Sequence, residues 1–207
     1  LLKKGSRPHV LSGRIYLLAM CCIVVSAVPL VVLRLIDGQV LAATFLGYLA
    51  VLVTSAIWLG WRAIRDKAAP ARYLGRMYHV LMVVNPLAGL VVLAVGLRAG
   101  HPLFIGFSLI GLMLGVDMWR RRRIIPRQPQ WWLREHYSAM LGNGVATHIA
   151  FLVIGLPRLL PGIDGGALYY AAWFVPLVVS IAANAWLDRK FRFSGPSARP
   201  LATPTRA

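Results

Sequence analysis

Acidic residues are scarce in this chain, with only 6 Asp and Glu among 207 residues against 23 Lys and Arg. Charged residues make up 14% of the sequence and hydrophobic residues 58%, whereas a soluble globular protein has about 25% and about 45–50%. The mean hydropathy is +0.67. This composition argues against an ordinary water-soluble domain and indicates an integral membrane protein.

Cysteine is almost absent, and no familiar catalytic motif is present. Cys21 and Cys22 are adjacent in an apolar run, where their side chains diverge, so a structural disulfide between them is not expected. The sequence has no HExxH, CxxC or GxSxG motif and no Walker loop, which favours a protein without catalytic activity. The opening LLKKGSRPHV lacks the apolar segment and cleavage site of a signal peptide, and because no initiator Met is present we expect further residues upstream of Leu1.

Long apolar runs are what the sequence has instead. A helix needs about 20 apolar residues to cross a hydrocarbon core of about 30 Å. Six runs predict six transmembrane helices, at 11–34, 40–62, 74–97, 102–119, 133–157 and 166–187. We therefore predict an all-α polytopic membrane bundle over residues 1–190, followed by a disordered cytoplasmic tail over 191–207.

The basic residues alternate from loop to loop. Arg34, Arg98 and Arg158 follow the odd-numbered runs, and the other 20 Lys and Arg residues lie near the opposite ends of the runs. Cytoplasmic loops carry such an excess in membrane proteins, so both termini are expected in the cytoplasm. The run WRRRRIIPR at 119–127 is typical of contacts with anionic lipid headgroups, and no nucleic-acid partner is expected.

A threefold repeat is predicted from the ends of the runs. The odd-numbered runs begin GRIYLLAM at 13–20, GRMYHVLM at 75–82 and LREHYSAM at 133–140, each with Arg second and Met six residues later. The even-numbered runs end in GWRAIR, MWRRRR and AWLDRK, as in the aromatic belt of a membrane interface. We interpret the pattern as three tandem hairpins related by an axis along the membrane normal. The alternative is chance, because interfacial Arg and Trp are common.

Ionisable residues inside the runs are candidates for a site. Each costs about 2.5–3.5 kcal/mol on insertion scales and therefore tends to face the bundle interior. His79, Asp117, Glu135 and His136 enter their runs at similar depths, which predicts a polar cluster near the cytoplasmic side. The other polar residues assigned to this set are Tyr16, Tyr78, Tyr137 and the deeper His148. The alternative partners of the two carboxylates are Arg14, Arg76 and Arg134.

Two further predictions concern the fifth run. Small residues recur there every four positions, which predicts a helix-packing face made of Ser138, Gly142, Ala146 and Ala150. Imidazoles from two helices are what bis-histidine haem ligation requires, so His79 and His136 are candidate ligands of haem b or a metal ion, or neighbours of a quinone. The alternative is that the histidines form hydrogen bonds to neighbouring helices.

The stretches REHYSAMLGNGVATHIAF and WFVPLVVSIAANAWLDRKF resemble a widespread group of bacterial multi-pass membrane proteins classed as a domain of unknown function. The residues that carry the resemblance are Glu135, His136, Met140, Phe151, Trp173 and Pro176, with His9, Gly13, Arg14 and Tyr16 upstream. The chain departs from the group's Thr-Ala-Phe at 148–151, where it reads HIAF. The resemblance is loose over most of the chain and better in its last third. It implies a bacterial cytoplasmic (inner) membrane location and no particular activity.

We expect a non-catalytic accessory or structural subunit that packs against other components of a larger membrane complex. This expectation rests on abundant packing faces and lipid anchors combined with the lack of a catalytic motif. One alternative is a membrane redox or cofactor protein that uses His79 and His136. Another is a small-molecule transporter that uses Asp117 and Glu135.

Overall fold

The structure is a computed structural model that describes residues 5–159 and 166–191. The described residues form helices α1 (Arg7–Ile36), α2 (Val40–Arg65), α3 (Pro70–Tyr73), α4 (Arg76–Ala99), α5 (Pro102–Ile124), α6 (Trp131–Leu159) and α7 (Gly166–Lys190). A 3₁₀ turn at Ile125–Arg127 follows α5, and no strand occurs in these ranges. Every helix except α3 is long and apolar enough to cross a membrane. The prediction of an all-α chain with six such helices is confirmed, whereas the predicted tail lies outside the described residues apart from Phe191.

Local sequence signals set several helix ends. Ser6 caps α1, because its hydroxyl oxygen accepts the backbone N–H of His9 at 3.5 Å. A proline stands in the first turn of α1, α3 and α5, where its missing N–H costs no helical hydrogen bond. Gly100 caps the end of α4 with a left-handed φ of 61°, a conformation that glycine readily adopts.

Successive long helices pair along the chain. α1 packs on α2, α4 on α5, and α6 on α7, while α2 also packs against α4 and α6. Because α2 contacts a member of each of the other two pairs, it lies at the centre of the bundle.

The α4–α5 pair is packed through glycine. A Cβ built on Gly111 would lie 2.6 Å from the backbone oxygen of Asn85, and one on Gly89 would lie 2.8 Å from that of Ser108. Such close approach of two backbones is possible only where small residues meet. The glycines of this interface are Gly89, Gly96, Gly111 and Gly115.

Two buried apolar clusters form the core. One cluster contains residues of α2, α3, α4, α5, the 3₁₀ turn and α6. Its members are Leu59, Ala63, Tyr73, Tyr78, Leu81, Met118, Ile125, Trp131 and Ala139. The other contains Phe45, Tyr48, Val92, Leu103, Phe104, Phe107 and Ile149. Along α2, α4 and α6, one fully buried polar residue stands between the members of the two clusters. These residues are Ser55, Asn85 and Asn143.

The predicted packing row of α6 is partly buried within the chain. Gly142 and Ala150 are exposed, and Ser138 and Ala146 are half-buried. The fully packed side of α6 is a neighbouring stripe that contains Trp131, Glu135, Ala139, Asn143 and Ile149. Glu135 accounts for the side of α6 that faces the bundle, because a buried carboxylate has to face its cationic partner.

Candidate functional site

Glu135 lies at the centre of a buried ion pair. Its Oε1 accepts a hydrogen bond from Nε of Arg121 on α5, and its Oε2 accepts the hydroxyl of Tyr73 at 2.8 Å. The Arg121 and Glu135 side chains are 7% and 8% exposed. Both carboxylate oxygens are therefore occupied by residues of other elements, and Glu135 ties α6 to α5 and to α3.

Tyr73 was not predicted as part of the site. It ends the one-turn helix α3, is fully buried, and packs its ring against Trp131 and Trp58 with centroid distances of 4.7 and 5.9 Å. Burial raises the pKa of the Tyr73 hydroxyl well above its ordinary value of 10.0, and the negative charge of Glu135 raises it further. The hydroxyl therefore stays protonated at neutral pH and keeps donating to Glu135.

A second ion-pair group surrounds Arg134. Its Nη1 lies 3.6 Å from Oδ2 of Asp117 on α5, and its Nε donates to Oδ1 of Asp188 on α7 at 3.0 Å. The Tyr137 hydroxyl donates to the same Asp188 oxygen. One guanidinium thus connects α5, α6 and α7. Arg134 is one of the arginines considered as neutralising partners in the sequence, whereas Asp188 was not predicted.

A third ion pair closes the end of α2. Arg62 donates through Nε to Asp66 one turn later, and its Nη2 donates to the backbone oxygen of Arg72 at 3.0 Å. Asp66 is 2% exposed. This contact fixes the connection that carries α3 against the bundle.

The structure does not bring His79 and His136 together. His79 is exposed, and its Nδ1 lies 3.2 Å from the backbone oxygen of Gly75, one turn earlier in the chain. His148 is also exposed and is bound in the same way to Gly144, at 2.7 Å. Within the described ranges no group of three or more His, Cys, Asp or Glu is placed to hold a metal ion. The structure gives the two histidines different partners, and their pairing at one iron or metal ion stays a prediction.

His136 has different surroundings. Its half-buried ring approaches α2, where Nδ1 lies 3.1 Å from the backbone oxygen of Gly60. The next turn of α6 packs on the same glycine, because a Cβ built there would lie 3.2 Å from Cβ of Ala139. The alternative prediction, a histidine bound to a neighbouring helix, describes this contact.

The remaining predicted residues divide between these groups. Tyr78 belongs to the buried apolar cluster and donates its hydroxyl to the backbone oxygen of Met118 at 2.9 Å. Tyr16 lies apart from Glu135, with its hydroxyl 2.9 Å from Oγ1 of Thr147 on α6. The two carboxylates of the predicted cluster thus pair with Arg121 and Arg134, while His136 contacts α2 and His79 contacts the start of its own helix.

Arg121 was not predicted as the partner of Glu135, and its position in the sequence explains why. It belongs to the run Arg120–Arg123, which resembles a solvent-exposed or lipid-exposed basic patch. Successive helical residues are rotated by about 100°, so one residue of such a run faces the helix's packing partner. The helical spacing carries this signal, but it does not say which of the four arginines faces inward.

Basic residues stack over tryptophans at the ends of three helices. The separation is four residues each time, with cation-to-ring distances of 4.9 Å for Arg65 over Trp61, 5.1 Å for Arg123 over Trp119 and 4.7 Å for Lys190 over Trp186. All three tryptophans are exposed on the outer surface. Such pairs hold a cation beside an amphipathic ring, the combination that suits a membrane interface.

Comparisons with protein families, with curated proteins and with solved structures found no match to this chain. The resemblance noted in the sequence therefore remains a prediction.

Proposed function

We propose that this protein is a non-catalytic accessory or structural subunit of a larger assembly in a bacterial cytoplasmic membrane. The observation that carries the proposal is the internal pairing of its acidic residues. Glu135, Asp66, Asp117 and Asp188 each form an ion pair with an arginine of the same chain. Three of these pairs join α6 to α5 or α7, so the carboxylates fix helices to one another.

We further propose that the six helices form three repeated hairpins with both termini in the cytoplasm. The sequence supports the repeat, because the odd-numbered runs begin with Arg14, Arg76 and Arg134, each followed by Met six residues later, and the even-numbered runs end in a tryptophan beside basic residues. The uneven distribution of basic residues supports the orientation.

Anionic lipid headgroups are the proposed partners of the stacked cations at the ends of α2, α5 and α7. The exposed tryptophans at 61, 119 and 186 present a polar edge and an apolar body, which suits the headgroup level of a bilayer. The adjacent cations supply attraction to phosphate.

Photocrosslinking in the source membrane tests the accessory role. A photoreactive residue replaces Val25 on α1, Met113 on α5 or Val178 on α7, which are 70%, 64% and 63% exposed. We expect one defined protein adduct from one of these faces, and comigration of that adduct's partner with the wild-type chain in native electrophoresis. Migration only as a 22.8 kDa chain with detergent, without adducts from any face, would contradict the proposal.

The two other functions predicted from the sequence have weaker support. A transporter that uses Asp117 and Glu135 has to break ion pairs that hold α5 and α6 together. A haem protein that uses His79 and His136 needs two imidazoles that face each other, and His79 is exposed instead. A reduced-minus-oxidised absorption spectrum of the purified protein with metal analysis tests the second function, because a Soret band or stoichiometric metal would revive it.

A further inference from the structure

The exposed ring of Trp119 carries two cations. Trp119 lies near the end of α5 and is 47% exposed, and the guanidinium carbons of Arg122 and Arg123 lie 5.6 and 5.1 Å from its ring centroid. The spacings of three and four residues place both arginines beside Trp119 on the helix surface. In the described part of the chain, the exposed rings of Trp61 and Trp186 each hold one cation. We call the group formed by Trp119, Arg122 and Arg123 the Trp119 cluster.

The two guanidinium groups of the Trp119 cluster form no ion pair with a carboxylate of the described residues. Four acidic residues of the described chain lie at this end of the bundle, and other arginines hold them all: Arg62 pairs with Asp66, Arg121 with Glu135, and Arg134 with Asp117 and Asp188. Asp37 stands between α1 and α2, at the opposite end of α2 from Arg62. Neighbouring like charges repel one another, so an anion from outside the chain is favoured at this cluster.

An apolar row leads from the Trp119 cluster along the outer surface of α5. Leu109 and Val116 are exposed, and Leu112 between them is half-buried. These three residues, Trp119 and Arg123 follow one another at alternating spacings of three and four residues, so they share one side of the helix. The row continues toward the middle of a helix that is long and apolar enough to cross a membrane. An acyl chain can therefore lie along the row while its headgroup meets the arginines.

We propose that the Trp119 cluster binds a lipid whose headgroup is a phosphomonoester, of the phosphatidic acid class. A phosphomonoester carries about −1.5 to −2 charges at neutral pH, whereas the phosphodiester of other anionic phospholipids carries a single charge. A guanidinium presents a planar fork of donors that matches phosphate oxygens, so Arg122 and Arg123 together balance the doubly charged headgroup. The inference rests on the proposed binding of anionic lipids by the stacked cations, and it names the headgroup at one of these sites.

Lipid binding to the purified full-length chain, measured by native mass spectrometry in detergent, tests the proposal. The probes are phosphatidic acid, phosphatidylglycerol and phosphatidylcholine with the same acyl chains. We expect phosphatidic acid to bind about fivefold more tightly than phosphatidylglycerol, the effect of one further exposed ion pair, and phosphatidylcholine to bind most weakly. Equal binding of the two anionic lipids, both above phosphatidylcholine, would overturn the phosphomonoester assignment and leave the anionic-lipid partnership intact. Equal binding of all three lipids would overturn both.

Two double substitutions locate the site. Arg122→Gln with Arg123→Gln removes both cations from Trp119 and should abolish the preference for phosphatidic acid over phosphatidylglycerol. The matched control is Arg65→Gln with Arg120→Gln, which removes the same charge from two exposed arginines, and Arg120 is rotated by about 100° from Trp119. These four arginine side chains form no ion pair within the described residues, so both variants should fold. The control should keep the fivefold preference, and equal preferences in the two variants would refute the location.

Inorganic phosphate distinguishes a lipid from a soluble anion at the same cluster. It offers the same phosphate oxygens but has no acyl chain to lie along the row that contains Leu109 and Val116. Phosphate at the same concentration as the lipid should therefore leave the binding of phosphatidic acid to the wild-type chain unchanged. Displacement of the lipid under these conditions would show that the cluster selects free phosphate and would overturn the lipid assignment.

Discussion

Arg121 and Glu135 form an ion pair between α5 and α6, with 7% and 8% of their side chains exposed. Neither charge has access to bulk water, so each depends on the other. Tyr73 adds a hydrogen bond from the short α3. Glu135 therefore holds three elements together: the short helix α3, helix α5 and its own helix α6.

Removal of one partner should be much more costly than removal of the supporting hydroxyl. Glu135→Ala leaves the guanidinium of Arg121 buried without its counter-charge, so we expect a loss of about 3–5 kcal/mol. Tyr73→Phe should cost about 1 kcal/mol, since it deletes one hydrogen bond. Reversible unfolding in mixed detergent measures both. Asp37→Ala, at the exposed end of α1, serves as the control, and a Glu135→Ala variant as stable as this control would contradict the prediction.

Alkaline pH should weaken the fold through Tyr73. Its pKa is raised in the folded chain above the ordinary value of 10.0, so the folded state holds this proton more tightly than the unfolded state. The resulting stabilisation is complete below about pH 10 and is lost as the pH rises from there through the folded pKa. Unfolding should be followed between pH 8 and pH 11 for the wild type and Tyr73→Phe. Parallel curves for the two chains would show that Tyr73 does not contribute to the pH dependence.

Glycine-mediated packing should make the α4–α5 interface sensitive to a single methyl group. Gly111→Ala places a Cβ 2.6 Å from the backbone oxygen of Asn85, so one backbone has to move, at a cost of about 1–3 kcal/mol. Gly142→Ala is the matched control, because its Cβ would make an ordinary contact at 3.9 Å with Ala56. Thermal unfolding in detergent compares them. Equal melting temperatures would show that α4 and α5 are less closely packed.

Accessibility of single cysteines tests the proposed orientation. In a chain with Cys21 and Cys22 replaced by Ala, Ala68→Cys follows α2 and Ala99→Cys ends α4, and both positions are exposed. A membrane-impermeant maleimide applied to intact cells should label position 99 and leave position 68 unlabelled until the membrane is opened. The opposite pattern would place the arginine-rich loops outside and reverse the topology.

The six long helices were predictable because apolar length is a one-dimensional property that needs no knowledge of neighbours. The side that each helix turns toward its neighbours was not predictable. The row of small residues at 138, 142, 146 and 150 could be read from its spacing, but the sequence does not show that Glu135 faces Arg121 on α5. α3 was missed because one helical turn has no apolar period to detect, although Pro70 marks its start. The contact of His136 with Gly60 could not be predicted, because its acceptor is a backbone atom, which carries no sequence signal.

The Arg134 bridge has a consequence for the order in which the protein is assembled. Arg134 and Asp188 are separated by 54 residues, so at about 5–20 residues per second the ribosome delivers the second roughly 3–11 seconds after the first. During that interval the guanidinium has only Asp117, which is made earlier, as its carboxylate partner among these three residues. When α7 arrives, the guanidinium of Arg134 therefore already has Asp117 as a partner. The new helix adds Asp188 to this guanidinium, so α7 is joined to a pair of helices that are already connected through Asp117.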